Sequence, residues 1–180
     1  MIYDKVINGQ IIDLRSVKVD DADFVFNIRM DNSKNKYIHK VSNDVGLQKK
    51  WISNQIQRDG DYYFIALSKQ GEPLGLASVY DIDYEKKEAE FGRWVSYGNP
   101  YQNVEMVMLL FDLAFNELGI DKLFMRMDLE NTKVINFWKT FRCSHTGIVK
   151  RVDMELDEWY INKDTYLSNR NNIKRMIKSV

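Results

Sequence analysis

The apolar positions in the second half of the chain follow a strand, helix, strand, helix order. Residues 88–96 carry the aromatic and β-branched side chains of a strand, and Pro100 follows, where its fixed φ and missing N–H end the strand. Residues 104–118 are apolar on nearly every side, which predicts a buried helix. Residues 122–128 predict the next strand, and residues 131–139 predict a helix that begins at an asparagine. Because such crossovers are right-handed, the two strands are expected to run parallel.

Shorter patterns place further strands and helices on both sides of this unit. Alternating or continuous apolar runs predict strands, and apolar residues three or four apart predict helices. The strands are expected at residues 10–18, 62–68, 74–82, 145–154 and 158–167, the helices at residues 22–30 and 44–58, a loop or short helix at residues 31–43, and a basic, weakly amphipathic tail at residues 169–180. The expected fold is therefore α/β, in one domain over residues 1–180, with a mixed sheet that has antiparallel front strands and a central parallel pair.

Composition narrows the possible partners. The chain has 180 residues with a hydrophobic fraction of 44%, which fits one soluble globular domain. Lys plus Arg and Asp plus Glu both number 26, so no basic excess favours a nucleic-acid partner. The sequence shows no signal segment and no apolar run of roughly 18 residues, so we expect a cytoplasmic protein without membrane association. With a single cysteine, Cys143, and two histidines, we expect neither a disulfide nor a metal site.

Two groups of residues resemble the GNAT superfamily of N-acetyltransferases, which use acyl-CoA. Residues 131–139 read N-T-K-V-I-N-F-W-K and are similar to the family segment N-x-x-A-x-x-F/L-Y-x-K. The opening strand and first helix also resemble the family, at Gly9, Ile12, Leu14, Arg15, Asp21, Ala22, Ile28 and Arg29. The resemblance covers residues 9–168 by element order. It implies a GNAT fold whose central parallel strands splay apart, and transfer of an acetyl group from acetyl-CoA to a primary amine.

The resemblance also implies where acetyl-CoA binds as co-substrate. In the family, the pantetheine arm lies along the first parallel strand, the pyrophosphate meets a Q/R-x-x-G-x-G/A loop, and the asparagine-led helix flanks both. The implied contacts here are Trp94, Val95, Ser96, Gln102, Asn103, Val104, Asn131, Phe137 and Trp138. Asparagine also suits a helix N-cap, so Asn131 has a second explanation, and Phe137 and Trp138 are equally suited to a core.

The pyrophosphate loop departs from the family pattern. Glu105 and Val107 stand where the family has small residues. A carboxylate in the first helical turn is stabilised by the helix dipole, but we expect Glu105 to repel a pyrophosphate and Val107 to hinder its approach. These departures motivate an alternative reading, a degenerate GNAT-fold binding module without acetyl transfer.

The family pattern also changes at the general acid. Many members use a tyrosine at the position of Trp138, but an indole N–H does not release a proton at working pH. Tyr101, in the loop before the central helix, and Tyr160, on a late strand, are candidate replacements, with aromatic packing as the alternative for both.

The candidate general base is Glu90. It shares one face of its strand with Glu88, because side chains two residues apart point to the same side. Burial beside aromatic residues raises the pKa of a carboxyl group and would let Glu90 accept a proton from an ammonium through water. An ion pair with Arg93 or Arg126 is the alternative role.

The candidate acceptor contacts lie near the first helix. Arg29, Asn32, Tyr37 and His39 resemble a pattern in acetyltransferases that act on nucleotide-linked amino sugars and on protein N-termini. The arginine fork suits phosphate or carboxylate, and histidine titrates near neutrality, although Arg29 could instead pair with a nearby aspartate. We therefore expect a small-molecule amine as acceptor, an amino sugar ahead of a protein N-terminus, in a monomer or homodimer.

Overall fold

The structure, a computed structural model, describes residues 1–38, 44–151 and 154–178, so His39 lies outside the described residues. The strands are β1 (Ile7–Asn8), β2 (Ile12–Ser16), β3 (Tyr62–Ser68), β4 (Pro73–Asp83), β5 (Glu88–Ser96), β6 (Lys122–Asp128), β7 (Ser144–Arg151) and β8 (Met154–Asn162). The helices are α1 (Ala22–Met30), α2 (Val45–Ile56), α3 (Pro100–Asn116), α4 (Thr132–Thr140) and α5 (Lys163–Lys178).

The described strands form one mixed sheet in the order β1-β2-β3-β4-β5-β6-β8-β7. β5 and β6 run parallel, and the other neighbouring pairs run antiparallel. This confirms the predicted α/β fold with antiparallel front strands and a central parallel pair. The crossover helix α3 connects the two parallel strands, as the apolar pattern indicated.

Apolar side chains cover both faces of the sheet. Alternate residues of β3 show this, since Phe64 packs in the core with α3 and α5, whereas Tyr63 packs in the core with α1 and α2. Phe111 of α3 is fully buried against Phe91 of β5, with ring centroids 5.5 Å apart. Within the described ranges, none of the helices, α3 included, combines the length and apolar content needed to cross a membrane.

The start of α3 differs from the sequence prediction. The helix begins at Pro100, four residues before the expected start, so Tyr101 lies in its first turn and not in a loop. Proline suits this first helical position because its φ is already helical and its missing N–H would have no partner there. Asn99 is the N-cap, and its side-chain oxygen accepts the N–H groups of Tyr101 and Gln102, each at 3.0 Å.

The end of the chain also differs from the prediction. The break expected between the strands at residues 145–154 and 158–167 lies inside β8, where Asp157 pairs with Ile148 of β7. The charged side chain is tolerated in the strand because Asp157 accepts a hydrogen bond from the Trp159 indole N–H and contacts His145. The predicted strand at residues 158–167 ends at residue 162, and the tail continues as helix α5 with Tyr166 buried against α3.

Glu105 does not face the start of α3, so the expectation that it repels a pyrophosphate is wrong. The side chain is 1% exposed, and its carboxylate accepts the N–H groups of Gln10, Ile11 and Ile12 at 2.5, 2.7 and 2.9 Å. Gly9 allows this approach, since a Cβ there would lie 2.8 Å from the Glu105 carboxyl carbon. The carboxylate therefore anchors the turn before β2 onto the central helix.

Replacing Glu105 by alanine should destabilise the fold. The change leaves three backbone N–H groups without their acceptor, of which that of Ile12 is buried and those of Gln10 and Ile11 are partly buried. An unpaired buried donor costs about 1–3 kcal/mol, so we expect the free energy of unfolding, measured in urea, to fall by about 1–3 kcal/mol. Glu85→Ala, at an exposed position in the β4–β5 turn, is the control. Equal stability of the two variants would contradict the anchoring role of Glu105.

Candidate active site

The parallel strands β5 and β6 separate partway along their length. They pair from Glu88 with Lys122 to Glu90 with Phe124, and no later residues are paired in the described part of either strand. The space between them belongs to a cavity of about 740 Å³, lined by residues 91–94 of β5 and 125–128 of β6. This opening, hereafter the wedge, confirms the predicted splayed pair and leaves one edge of β5 available to a ligand.

A β-bulge in β5 borders the wedge. Gly92 pairs with Ser78 and Val95 with Leu76, so two residues of β5 stand opposite one residue of β4. One of the two, Arg93, has a φ of 51°, in the left-handed region that side chains rarely adopt. The bulge interrupts the regular pairing of β5 with β4 beside the cavity.

Contacts of its side chain hold Arg93 in this conformation. Its guanidinium donates to both carboxylate oxygens of Asp61, at 2.5 and 3.0 Å, and lies 4.1 Å from the ring centroid of Tyr80. Burial alone would lower the pKa of Arg93, but the hydrogen bonds and charge of Asp61 outweigh it and the pKa is raised. Arg93 therefore stays charged, and the ion pair stabilises a strained backbone.

Glu90 lies where the wedge closes. It is 6% exposed, and one carboxylate oxygen accepts the Tyr80 hydroxyl at 2.5 Å. The other oxygen accepts a hydrogen bond from Arg126 and forms an ion pair with Arg151 at 3.1 Å. The ion pair considered from the sequence is therefore formed with Arg126, whereas Arg93 pairs with Asp61.

The partners of Glu90 come from separate strands. Burial, and then the charge of Glu90, raise the pKa of Tyr80, so this phenol stays protonated and donates its hydrogen bond. Arg126 also donates to Glu158 through Nε at 2.7 Å, and its Nη2 lies 2.6 Å from the same carboxylate oxygen in the ion pair. Sequence reasoning missed Tyr80, Arg151 and Glu158, because only the sheet order brings β4, β7 and β8 to this point.

Two indole groups face the same cavity. Trp94 and Trp138 both line the wedge, with ring centroids 5.6 Å apart. The Nε1 atoms of both are buried and have no hydrogen-bond partner among the described residues. Because an unpaired buried donor is costly, these N–H groups are suited to an acceptor on a ligand, such as a carbonyl.

A second cavity of about 510 Å³ continues from the wedge. Both cavities share Tyr37, Trp94 and Asn131 in their linings. Val95 and Ser96 of β5 and Asn103 of α3 line the second cavity, so the two spaces form a path from Glu90 past the end of β5. A long, narrow substrate arm would fit such a path.

The structure gathers many of the predicted site residues along this path. The residues that line one or both cavities are Arg29, Tyr37, Glu90, Trp94, Val95, Ser96, Asn103, Asn131 and Trp138. Asn131 is also the N-cap of α4, where its side chain accepts the Val134 N–H at 3.4 Å. Both explanations of Asn131 therefore fit the structure.

Other predicted residues lie outside both linings. Gln102 accepts the Asn99 N–H at 2.9 Å, and Val104 is buried in the core. Asn32 is exposed on the loop after α1, and Phe137 packs on Trp94. The cofactor and acceptor roles of these four residues stay predictions.

The structure does not bring either candidate tyrosine acid to the wedge. Tyr101 is 39% exposed in the first turn of α3. Tyr160 pairs with Phe124 at the closed end of the strand pair, and its ring packs 4.7 Å from the Lys122 ammonium. Tyr160 therefore takes part in aromatic packing, which was the alternative to a role as acid. The tyrosine that lines the wedge beside Glu90 is Tyr80.

A family profile for the acetyltransferase (GNAT) domain matches residues 12–142. The matched range covers β2 through α4, and so contains the wedge and its lining from β4 to α4. The chain therefore belongs to the GNAT family, and it is an acetyl-CoA-dependent N-acetyltransferase.

Individual relatives act on different amines. The chain is 22% identical to spermidine N(1)-acetyltransferase of Escherichia coli (strain K12) over 142 residues, which is 71% of this chain and 73% of that protein. The structure of apo FdhC, described as a nucleotide-linked sugar GNAT, superposes with a TM-score of 0.84 and 25% identity over 97% of this chain and 99% of that one. Spermidine N-acetyltransferase from Vibrio cholerae, solved with CoA and spermine, superposes with a TM-score of 0.78 and 16% identity, over 88% and 99%.

Replacing Asp61 by asparagine should destabilise the bulge. The variant leaves the charged Arg93 guanidinium without its counterion, and breaking a buried ion pair from one side costs about 3–5 kcal/mol. We expect urea unfolding to show a loss near the lower end of that range, because the pair is partly accessible. Asp59→Asn, two residues away and exposed, is the matched control. If the Asp61 variant were as stable as this control, the ion pair would not maintain the bulge.

Proposed function

We propose that this protein transfers an acetyl group from acetyl-CoA to the primary amine of a nucleotide-linked amino sugar. The observation that carries the proposal is the wedge, because it opens one edge of β5 and ends at the buried carboxylate of Glu90. Acyl transfer to an amine needs a narrow path for the thioester arm and a group that accepts the ammonium proton.

The chain has groups that suit the thioester arm. Backbone groups of β5 beyond Glu90 have no pairing with β6 in the described residues and can bond to an extended amide chain. The Nε1–H groups of Trp94 and Trp138 can each donate a hydrogen bond to a carbonyl oxygen of the arm. Acetyl-CoA supplies the activated acetyl group, and a thiolate is an adequate leaving group because a model thiol titrates near a pKa of ~8.5.

Glu90 is proposed as the base that receives the acceptor proton. The acceptor ammonium loses one proton to Glu90, directly or through water, and the neutral amine then attacks the carbonyl carbon as the C–S bond breaks. The nitrogen loses a second proton as the amide forms, and this proton goes to the leaving thiolate, so that the products are the amide and the CoA thiol. Tyr80, Arg126 and Arg151 are positioning residues in this scheme, since they hold both carboxylate oxygens in place.

Cationic side chains outnumber carboxylates in the lining of the wedge, although Arg93, Arg126 and Arg151 are already held in ion pairs within the chain. Among the described lining residues, the cationic side chains are Arg29, Lys36, Arg93, Arg126 and Arg151, and the carboxylates are Glu90 and Asp128. Asp61 and Glu158, which pair with two of these arginines, do not line the cavity. A nucleotide-linked sugar carries a diphosphate, and its negative charge suits a lining in which cations outnumber carboxylates. A polyamine is positively charged and would need several available carboxylates.

Polyamine acetylation is the second candidate. It is supported by the spermidine N-acetyltransferases among the relatives, in sequence and in fold. The nucleotide-linked sugar candidate is supported by apo FdhC, which covers more of this chain at a higher TM-score and identity.

An acceptor screen tests the proposal. Release of free CoA thiol from acetyl-CoA would be measured with nucleotide-linked amino sugars, free amino sugars, spermidine and an N-terminal peptide. We expect the highest kcat/KM with a nucleotide-linked amino sugar, and a lower value for the same sugar without its nucleotide. Preference for spermidine would support the second candidate. Acetyl-CoA binding without turnover on any amine would favour a binding module.

Replacing Glu90 by glutamine should lower turnover more than cofactor affinity. The amide keeps the size of the side chain and an acceptor for Tyr80, but it cannot take a proton, and loss of a general base costs about 10²–10⁴-fold in rate. We expect kcat to fall at least about 100-fold, with the KM for acetyl-CoA within a few-fold. Glu88→Gln, on the same strand and paired with Lys122 at 3.8 Å, is the matched control. An unchanged kcat would exclude Glu90 as the base.

A further inference from the structure

The second cavity has an excess of positive charge. Among the described residues that line it, three are lysines, Lys34, Lys36 and Lys133, and the acidic side chain is Glu130. The Lys36 ammonium lies 3.8 Å from Glu130, and both side chains are mostly exposed, so water screens this pair strongly. Hydroxyl groups of Ser33 and Thr132 also line the cavity.

The lysine-bearing loop is attached to the end of β5. Tyr97, just beyond that strand, donates its hydroxyl to Asp31 at 2.9 Å, and the Lys34 ammonium lies 5.5 Å from the centroid of the Tyr97 ring. Lys36 donates to the Tyr37 hydroxyl at 2.8 Å. These contacts place two ammonium groups beside the path that leads from the wedge.

The third lysine comes from the first turn of α4. Lys133 follows the N-cap Asn131, at the helix end that carries partial positive charge. A cation is disfavoured at that end, whereas an anion is stabilised there. Lys133 therefore adds to a local positive potential that the single carboxylate of Glu130 balances only in part among the described lining residues.

The start of α3 offers no comparable anion site. Pro100 has no N–H, and the N–H groups of Tyr101 and Gln102 are both bonded to the Asn99 side chain. The N–H of Asn103 is bonded to the Asn99 carbonyl at 3.0 Å. The first-turn donors that could meet a phosphate are therefore already used within the chain.

We propose that Lys34, Lys36 and Lys133 form a diphosphate-binding site in the second cavity. The proposal rests on the proposed function, because acetyl-CoA and a nucleotide-linked sugar each carry a diphosphate. Three ammonium groups from a loop and a helix start can surround such a group as point charges. The three lysines would thus bind the diphosphate in place of the start of α3, where the N–H groups are already bonded within the chain.

A triple variant, Lys34→Gln, Lys36→Gln and Lys133→Gln, tests the site by calorimetric binding. The probes are CoA, pantetheine, which lacks the diphosphate, and UDP as a nucleoside diphosphate. We expect the Kd of at least one diphosphate probe to rise at least tenfold at low salt, with pantetheine affinity within twofold. The salt dependence of the affected probe should also become weaker.

The matched control is a triple variant of the same net charge, Lys5→Gln, Lys49→Gln and Lys174→Gln, at exposed positions outside both linings. A loss for CoA identifies the co-substrate as the source of the diphosphate, and a loss for UDP identifies the acceptor. If the two triple variants bind every probe equally, the proposal is overturned. Binding is measured without turnover, so the site can stand even if the acceptor screen contradicts the proposed function.

Discussion

The divergence of β5 from β6 after three paired residues is the constraint on which the rest of this site depends. A strand that leaves its neighbour exposes backbone donors and acceptors, and the fold tolerates this only where a ligand or water can take them. The bulge at Arg93 breaks the regular pairing on the other side of β5, and its ion pair with Asp61 fixes the strained residue. The candidate site is therefore bordered by an irregularity that buried charges maintain.

Most of the architecture could be predicted from the sequence because it follows local periodicity. The limits of β3, β5 and β6 agree with the pattern of apolar residues, and the apolar helix between β5 and β6 required a buried crossover. The predicted start of α3 was wrong, because Asn99 as N-cap and Pro100 at the first helical position begin the helix before its apolar stretch. The expected break between the last two strands was misplaced because Asp157 has partners within the sheet that no local pattern shows.

The candidate site was less predictable, because its members meet through sheet order. Glu90 could be selected by its place on the strand, but the residues that fix it come from strands distant in sequence. Glu105 shows the opposite error. Its predicted position in the first turn of this helix suggested contact with a pyrophosphate. The helix begins earlier, at Pro100, and the Glu105 carboxylate reaches the backbone N–H groups of Gln10 to Ile12. Sequence gives the residue and the element, whereas the direction of a long side chain depends on its neighbours.

Glu90, Arg126 and Glu158 form a series of ion pairs across three neighbouring strands, in the order β5, β6 and β8. Each of the three side chains is largely buried. Loss of one of them would therefore leave an opposite charge unpaired in the protein interior, which solvates a charge poorly. Substitutions at these positions are consequently coupled during evolution. If the arginine is replaced, its acidic neighbours must be replaced by neutral residues as well. Replacements at these three positions should then be linked, whereas the lysines around the second cavity are open to solvent and can be exchanged singly without leaving a buried charge unpaired.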